Sequence, residues 1–360
     1  MADPAAFRAQ FPVLGHYAYL NAGTEGPIPR AAADAVRVRM LQDTEQGRIG
    51  RAYFEENQTL AASVRAGYAE VLGAEPGEVA LTGSTTDGLN TVIGGLALSG
   101  GDEILTSDQE HPGLLAPLRR ARVVCGVKVR AVPFTEIAGE VGPRTRLIAC
   151  SHVSWVGGDV VDLPALRATG VPILLDAAQA VGAIPIDVHA LGCDFYAGSG
   201  QKWLCGPEGS GCLWVKPERL DDLEPPWPGY GTLSDNLDCL RSGLSDGAPR
   251  LDHGYPPAIR SAWALASLNV LKEAGWPWVH ERAVTLAARL AERLAERGKT
   301  VRRRGRSTLV SWEAAEADAD VARLRELGML VRSIPTHGVV RASVGAWTSD
   351  EELERLTDAA

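Results

Sequence analysis

The sequence lacks a long apolar segment, an excess of basic residues and a basic-then-apolar leader at its start. Without a run of about 20 apolar residues, no membrane-spanning helix is expected, and without such a leader no secretory signal is expected. The net charge of −9 disfavours nucleic-acid binding, which depends largely on Lys and Arg side chains that neutralise phosphates. We therefore expect a cytoplasmic protein with neither a membrane nor a nucleic-acid partner.

The patterns of metal sites and disulfide frameworks are also missing. The six cysteines are dispersed along 360 residues without a CxxC pair, and the seven histidines show no HxxxH spacing. Structural zinc sites and disulfide frameworks rely on closely spaced residues of this kind. The sequence therefore predicts no metal site and no disulfide framework.

The middle of the chain alternates short apolar segments with longer segments of helical pattern. This alternation is typical of an α/β fold with a mainly parallel sheet and helices on both faces. Seven strands are predicted, at residues 78–82, 103–106, 127–132, 146–150, 171–175, 194–197 and 212–215. The pattern therefore predicts a large α/β domain around one seven-stranded sheet.

The last third of the chain has a different pattern. Two strands and three helices are predicted there, at residues 307–312, 339–344, 261–271, 279–296 and 349–357. In the second of these helices Leu286, Leu290 and Leu294 recur every four residues, which indicates one buried face.

The length and the change of pattern together predict two domains. A chain of 360 residues exceeds the size of one ordinary hydrophobic core. We predict a large α/β domain at residues 17–245 and a small α+β domain formed by residues 1–16 and 246–360. A turn-rich loop with Trp227 and Tyr230 would either shape a pocket or contact a second subunit.

Polar segments follow several predicted strands, at the sheet edge where open α/β sheets bind ligands. Ser84 and Thr85 precede a helix, so they would either cradle a phosphate or cap the helix. Asp176 ends an apolar strand, and Gln179 follows it. Such a carboxylate can hold a proton on a ring nitrogen of a cofactor, or it can cap the next helix.

Two further segments carry a lysine and a histidine. Lys202 lies among glycines and aromatic residues, and a desolvated lysine can lose its proton and form an imine. His111 follows the strand at 103–106, and its flat ring can stack on an aromatic cofactor or act as an acid or base. Alone, they would more simply be a surface lysine in a turn and a loop histidine. Their order and spacing together with the other two segments indicate a cofactor site.

These segments resemble the class V aminotransferase family of fold-type I enzymes that use pyridoxal 5′-phosphate (PLP). The family includes cysteine desulfurases, cysteine/cystine C–S lyases and isopenicillin-N-epimerase-like proteins. The resemblance extends from residues 19–23 to residues 341–345, and the segments 21–27, 110–113 and 331–335 are similar to the C–S lyase branch. The resemblance implies a homodimer with active sites at the subunit interface.

The resemblance also implies roles for the site residues. Lys202 would hold PLP as a Schiff base and act as the catalytic base, with Asp176 at the ring nitrogen and His111 stacked on the ring. The other residues implied to bind the cofactor are Ser84, Thr85, Gln179, Ser199 and Gln201.

Arg341, Asn21 and Gly23 are implied to bind a small amino-acid substrate. Arg341 resembles the family's carboxylate-binding arginine, and its planar guanidinium suits two parallel hydrogen bonds to a carboxylate. In its predicted strand it points away from the apolar face of Val340 and Ala342. A surface arginine paired with an acidic neighbour is the alternative.

The sequence departs from the family pattern at several positions. Gln201 stands where a histidine often precedes the lysine, and Val156 stands where an asparagine is common. The usual phosphate contact from the partner subunit is not evident at residues 252–255. No cysteine follows Cys239, although desulfurases accept sulfur on a cysteine in the loop that here spans residues 330–338. A standard desulfurase is therefore not expected.

The sequence thus predicts a PLP-dependent C–S lyase that acts by α,β-elimination on cystine or an S-substituted cysteine. The products would be pyruvate, ammonia and a thiol or persulfide. An aminotransferase or epimerase with the same cofactor is the alternative. The same residues would then remove the substrate Cα proton, and the proton would return on the opposite face or after transamination. A non-catalytic family member with a binding or scaffold role is the third possibility.

Overall fold

The computed structural model describes residues 3–235, 237–252 and 254–360. Within these ranges no helix is long and apolar enough to cross a bilayer. His253, which belongs to the segment considered for a partner-subunit phosphate contact, lies outside the described residues.

The strands of the described residues form one large sheet and two small ones. In chain order they are β1 (Ala18–Tyr19), β2 (Val79–Thr82), β3 (Glu103–Ser107), β4 (Lys128–Val132), β5 (Thr145–Ser151), β6 (Ile173–Asp176), β7 (Phe195–Ser199), β8 (Gly211–Val215), β9 (Leu309–Glu313), β10 (Met329–Leu330), β11 (Arg332–Ile334) and β12 (Val339–Ser343). The seven strands predicted for the middle of the chain correspond to β2 through β8, which confirms them.

The large sheet has the strand order β2-β8-β7-β6-β5-β3-β4. Its strands run parallel except β8, which is antiparallel to both of its neighbours. Only residues 200–210 separate β8 from β7, and a parallel return would need a longer crossover connection. This short connection keeps Lys202 near the carboxyl end of β7. The mainly parallel seven-stranded sheet confirms the predicted fold class.

Some helices of the described residues lie on the two faces of this sheet, and others pack on the smaller sheets. In chain order they are α1 (Pro4–Arg8), α2 (Arg30–Gln46), α3 (Gly50–Leu72), α4 (Thr85–Gly95), α5 (Pro112–Val124), α6 (Leu163–Ala168), α7 (Val188–Leu191), α8 (Ala258–Ala274), α9 (Trp276–Glu296), α10 (Ala317–Glu326) and α11 (Asp350–Ala359). Helices α4 and α5 pack on one face, whereas α3 and α8 pack on the other. Helices α2 and α3 were not predicted from the sequence.

Adjacent residues of the central strands pack into different cores. Leu174 belongs to the core that contains Leu89 and Leu118, whereas Leu175 belongs to the core that contains Leu268. This alternation follows from the two-residue period of a strand. Because both faces are covered, β6 and β7 are buried throughout, whereas the edge strand β4 is partly exposed.

A smaller antiparallel sheet, in the order β11-β12-β9, lies in the last third of the chain. Leu286, Leu290 and Leu294 of α9 are all buried in its core, which confirms the predicted helix face. Helix α11 begins with a capping box, in which Ser349 and Glu352 each accept a hydrogen bond from the backbone of the other.

The N-terminal segment packs on this smaller unit. Strand β1 pairs in parallel with β10, and Arg8 forms a salt bridge of 2.6 Å with Glu352 of α11. Leu20 is buried in the core cluster that also contains Val340. The domain limits after residues 16 and 245 stay a prediction.

Candidate active site

A cavity of about 230 Å³ opens at the carboxyl ends of the parallel strands. Its wall combines residues that follow β2, β3, β5, β6 and β7 with residues of the N-terminal segment and of the small sheet. Every predicted site residue except Asn21 lines this cavity. The fold brings these residues together because the carboxyl ends of parallel strands meet at one edge of the sheet.

Lys202 lies in a tightly packed part of the wall. Gly26 N donates a hydrogen bond to Gln201 O at 2.8 Å, and a Cβ atom at Gly26 would collide with Lys202 O. Burial lowers the pKa of Lys202 to about 8, although the nearby Asp176 acts to raise it. A sizeable fraction of the amine is therefore neutral near physiological pH, and only the neutral amine is a nucleophile.

Asp176 ends β6 and is buried in the wall of the cavity. Its Oδ1 accepts a hydrogen bond from Ala178 N at 3.0 Å, so the carboxylate also caps the following turn. Burial raises the pKa of Asp176, while Lys202 acts to lower it. A desolvated carboxylate is a strong base, so it favours a protonated nitrogen beside it.

Gln179 is fixed by two hydrogen bonds to other parts of the wall. Its Nε2 donates to Gly23 O at 2.8 Å, and its Oε1 accepts from Trp203 Nε1 at 3.2 Å. A primary amide carries two N–H groups, so a second N–H is left for a ligand oxygen.

Polar side chains gather at the amino end of α4. The Ser84 hydroxyl caps this helix by accepting a hydrogen bond from Asp87 N at 3.1 Å. Thr85 Oγ1, Ser199 Oγ and Gln201 Oε1 are buried without a hydrogen-bond partner among the described residues. Buried polar groups are normally hydrogen-bonded, and the amino end of a helix favours an anion. This end of the cavity therefore fits a phosphate group.

His111 immediately precedes α5 and meets Trp155 edge-on, with 4.9 Å between the ring centroids. Its Nδ1 accepts a hydrogen bond from Gly113 N at 3.0 Å. Burial, followed by the charges of Lys202 and Arg332, lowers the pKa of His111 to about 4. The imidazole is therefore neutral at physiological pH with its proton on Nε2, a state that suits stacking on a cofactor ring.

Arg341 on β12 is completely buried, which is rare for a guanidinium group. Its Nη1 donates to Trp155 O at 2.8 Å, while Nε and Nη2 have no hydrogen-bond partner within the described ranges. Burial and the charge of Arg332 lower the pKa of Arg341 to about 9. The free edge formed by Nε and Nη2 matches a carboxylate, which accepts two parallel hydrogen bonds.

Several residues of the wall were not predicted from the sequence, among them Arg332, Trp155 and Glu25. Arg332 donates to Thr24 Oγ1 at 3.0 Å, and its guanidinium lies 5.9 Å from the ring centroid of Trp155. Burial raises the pKa of Glu25 to about 7. Arg332 could have been predicted by pairing the strand at 339–344 with the segment before it, which places Arg332 opposite Arg341. Trp155 and Glu25 lie in loops, where no local sequence pattern predicts their position.

Asn21 does not line the cavity. Its Oδ1 accepts a hydrogen bond from Thr24 Oγ1 at 2.8 Å, and the same hydroxyl accepts from Arg332. Asn21 thus supports the wall from behind, and its contact with a substrate stays a prediction. The individual roles of the residues that do line the cavity stay predictions as well.

Comparison with known proteins identifies the family. Residues 27–356 match the aminotransferase class-V family. The chain belongs to this family. The chain is 29% identical over 378 residues to isopenicillin N epimerase of Streptomyces clavuligerus, and the match covers 94% of this chain and 93% of that protein. It is 31% identical over 401 residues to a probable cysteine desulfurase of Pseudomonas aeruginosa, with 99% and 97% covered.

Two solved structures of another protein, C-DES, are similar to this class V chain over nearly its whole length. One is a C-DES variant with glycine covalently linked to the PLP cofactor, with a TM-score of 0.93, 27% identity and coverage of 99% of this chain and 98% of that one. The other is the cystine C–S lyase C-DES with its reaction product cysteine persulfide, with a TM-score of 0.91, 27% identity and coverage of 97% and 98%. The fold of a PLP-binding class V enzyme therefore extends over the whole described chain.

Proposed function

We propose that this class V chain is a PLP-dependent C–S lyase that cleaves a cysteine-derived amino acid by α,β-elimination. The substrate would be cystine or an S-substituted cysteine, and the products would be pyruvate, ammonia and a thiol or persulfide. One observation carries the proposal: Lys202 and Arg341, whose Nε and Nη2 have no hydrogen-bond partner among the described residues, line a cavity that no described cysteine lines.

The cavity fits PLP at each of its polar positions. The hydroxyls of Thr85 and Ser199 would hold the phosphate, Asp176 would hold the ring nitrogen, and Lys202 would hold the aldehyde carbon. When bound, PLP supplies an electron sink that stabilises negative charge at the substrate Cα. The likeness to C-DES, which was solved with a PLP cofactor, supports this assignment.

Arg341 would bind the α-carboxylate of the substrate through Nε and Nη2, the two groups left free in its buried edge. Charge-assisted bonds of this kind are short and strong, so they would fix the substrate Cα close to Lys202. Arg332 adds a second positive charge to the same wall. The cavity therefore favours an amino acid that carries a second carboxylate.

Lys202 would act as the base. With PLP bound and the substrate amine held on it, the neutral Lys202 amine would remove the proton from the substrate Cα. Asp176 would keep the proton on the ring nitrogen. As the Cβ–S bond breaks, the electron pair at Cα forms the Cα–Cβ double bond, and sulfur leaves with the bonding pair and takes up a proton. The enamine would be released when the Lys202 amine takes back its place, and water would then hydrolyse it to pyruvate and ammonia.

The fate of the sulfur separates this reaction from that of a desulfurase. A desulfurase needs a protein thiolate to accept sulfur, and residues 330–338 contain none. Burial raises the pKa of both Cys193 and Cys212 to about 12, so these thiols are unreactive near neutral pH. Sulfur would therefore leave as a small molecule.

The test is pyruvate formation from cystine by the PLP-loaded protein without any added keto acid. We expect continuous pyruvate release, and its loss in Lys202→Arg, which keeps the charge but lacks a nucleophilic amine. Absence of pyruvate across cystine and a panel of S-substituted cysteines would contradict the proposal.

The same incubation separates the two catalytic alternatives, of which the similarity to an epimerase supports the epimerase. Exchange of the Cα proton for deuterium with inversion but without pyruvate indicates an epimerase. Turnover that requires an added keto acid indicates an aminotransferase.

We also propose that the protein acts as a cytoplasmic homodimer. Helices α2 and α3 and the turn between them expose several large apolar side chains, which a second subunit would cover: Val38, Met40, Leu41, Ile49 and Phe54. Light scattering after size-exclusion chromatography tests this, and a monomer at micromolar concentration would contradict it.

A further inference from the structure

Glu110 is a buried carboxyl group next to the cavity that the proposed reaction does not use. It lies between β3 and α5, directly before His111, and is only 5% exposed. A carboxyl group in such surroundings is costly unless hydrogen bonds satisfy its oxygens. Its contacts therefore indicate what it is for.

The Glu110 side chain joins the ends of two neighbouring strands. Oε1 accepts hydrogen bonds from Ser107 Oγ at 2.5 Å and from Ser151 N at 3.1 Å, and Oε2 accepts from Ser151 Oγ at 2.6 Å. Ser107 is the last residue of β3, and Ser151 is the last residue of β5. One carboxyl group thus holds both strand ends at the edge of the sheet that carries the cavity.

Each side of this link leads to a group of the cavity wall. Ser151 is the partner of Asp176 in the pairing of β5 with β6, and the next residue, His152, donates its N–H to Asp176 O at 2.9 Å. On the other side, Glu110 is joined to His111 by a peptide bond. A change at Glu110 would therefore displace two wall groups that come from different strands.

We propose that Glu110 is a positioning residue that fixes His111 and Asp176 relative to each other and adds negative charge beside the cofactor site. The inference rests on the proposed function only in taking PLP as the occupant of the cavity. It assigns Glu110 no contact with substrate or cofactor.

The charge of Glu110 also changes near neutral pH. Burial raises the pKa of Glu110 to about 7, although the hydrogen bonds from both serines oppose this rise. The titratable groups that act on it or respond to it are Asp176 on β6 and Cys150 on β5. Burial raises the pKa of Cys150 well above its usual value, so this thiol stays neutral. Near neutral pH, Glu110 therefore adds a negative charge beside Asp176 when it loses its proton and removes that charge when it is protonated.

Glu110→Gln keeps the shape of the side chain and removes the charge, and Glu103→Gln is its matched control. Glu103 lies at the other end of β3 and accepts a hydrogen bond from Thr145 Oγ1 of β5 at 3.1 Å, so it also links these two strands. It does not line the cavity within the described residues. The measurements are the affinity of the apoprotein for PLP and the pH midpoint of the visible absorption of the PLP-loaded protein.

We expect Glu110→Gln to bind PLP about tenfold more weakly, because His111 and Asp176 would be held less precisely and the negative charge beside the site would be gone. The pH midpoint should move to lower pH, because a negative charge that favours protonation has been removed. Glu103→Gln should lose thermal stability and leave both readouts unchanged. Ser151→Ala removes one donor to Glu110, and we expect a smaller change in the same direction; it is the decisive variant if Glu110→Gln does not fold.

Wild-type PLP affinity and an unchanged midpoint in the folded variants at positions 110 and 151 would overturn the inference. Equal changes in Glu103→Gln would also overturn it, since they would show a general effect of loosening the strand pair. Failure of the wild-type protein to bind PLP would instead overturn the proposed function, so the two failures are distinguishable.

Discussion

Arg332 on β11 is the cross-strand partner of Arg341 on β12, so two guanidinium groups lie side by side in the wall of one cavity. Like charges at paired positions normally destabilise a sheet. Burial adds to the cost, as the lowered pKa of Arg341 reflects. An arrangement of this kind is stabilised by an anionic ligand, and cystine carries a carboxylate at each end.

Replacing Arg332 by glutamine should weaken the binding of cystine more than that of an S-alkyl cysteine, which has one carboxylate. Loss of a hydrogen bond between charged groups costs ~1.5–3 kcal/mol, so we expect KM for cystine to rise at least tenfold with little change in kcat. Steady-state pyruvate formation on both substrates measures this. Arg306→Gln, at an exposed position paired with Glu281, is the control. Equal losses on the two substrates would show that Arg332 does not bind the second carboxylate.

Gly23 has no room for a side chain. A Cβ atom there would lie 2.7 Å from Ser343 Oγ, 2.9 Å from Gln179 Oε1 and 3.0 Å from Arg341 Nη2. Gly23→Ala should therefore displace the carboxylate-binding edge and lower kcat/KM by about 10- to 100-fold. Gly139→Ala, where a Cβ meets nothing within 4 Å, is the matched control. Normal kinetics in a well-folded Gly23→Ala protein would place the substrate elsewhere.

The lowered pKa of Lys202 predicts how PLP uptake depends on pH. Only the neutral amine reacts, so the rate of PLP incorporation into the apoprotein should rise as pH increases through about 8, not through the usual 10.5. Because Arg341 helps to lower this pKa, Arg341→Gln should move the midpoint to higher pH. Stopped-flow absorbance gives the rates. A wild-type midpoint near 10.5 would contradict the desolvated state of the amine.

The raised pKa of Glu110 predicts that the apoprotein loses stability as pH rises. The pKa is about 7 in the folded protein against an ordinary value of 4.5, so the folded state binds more protons between these values. The contribution of Glu110 to the free energy of unfolding is fully present below pH 4.5 and is lost as pH rises through about 7. The loss amounts to about 3 kcal/mol. Glutamine at position 110 does not titrate. Urea denaturation should therefore show the variant gaining on the wild type from about pH 5 to about pH 8. A difference independent of pH would refute this titration.

Strands β2 to β8 were predictable because they are short apolar segments bounded by turn residues, a pattern that local sequence shows directly. Helix α2 was not, because Val38, Met40 and Leu41 are exposed and its apolar residues form no single buried stripe. Such a helix is stabilised by contacts with the rest of the fold or with a second subunit, which the local sequence does not show.

The candidate site divides in the same way. Lys202, Asp176 and His111 follow strands of a parallel sheet, so their convergence could be predicted from strand order alone. The position of Arg332 depends on the register between β11 and β12, and that of Trp155 depends on the path of a loop. Neither position can be predicted from a local sequence pattern.

The proposed chemistry depends on a covalent bond between the Lys202 amine and PLP. Borohydride reduction of the PLP-loaded protein, followed by proteolysis and mass spectrometry, tests it most directly. We expect one pyridoxyl adduct, on the peptide that contains residue 202, and none in Lys202→Arg. An adduct on a different lysine, or no adduct at all, would contradict it.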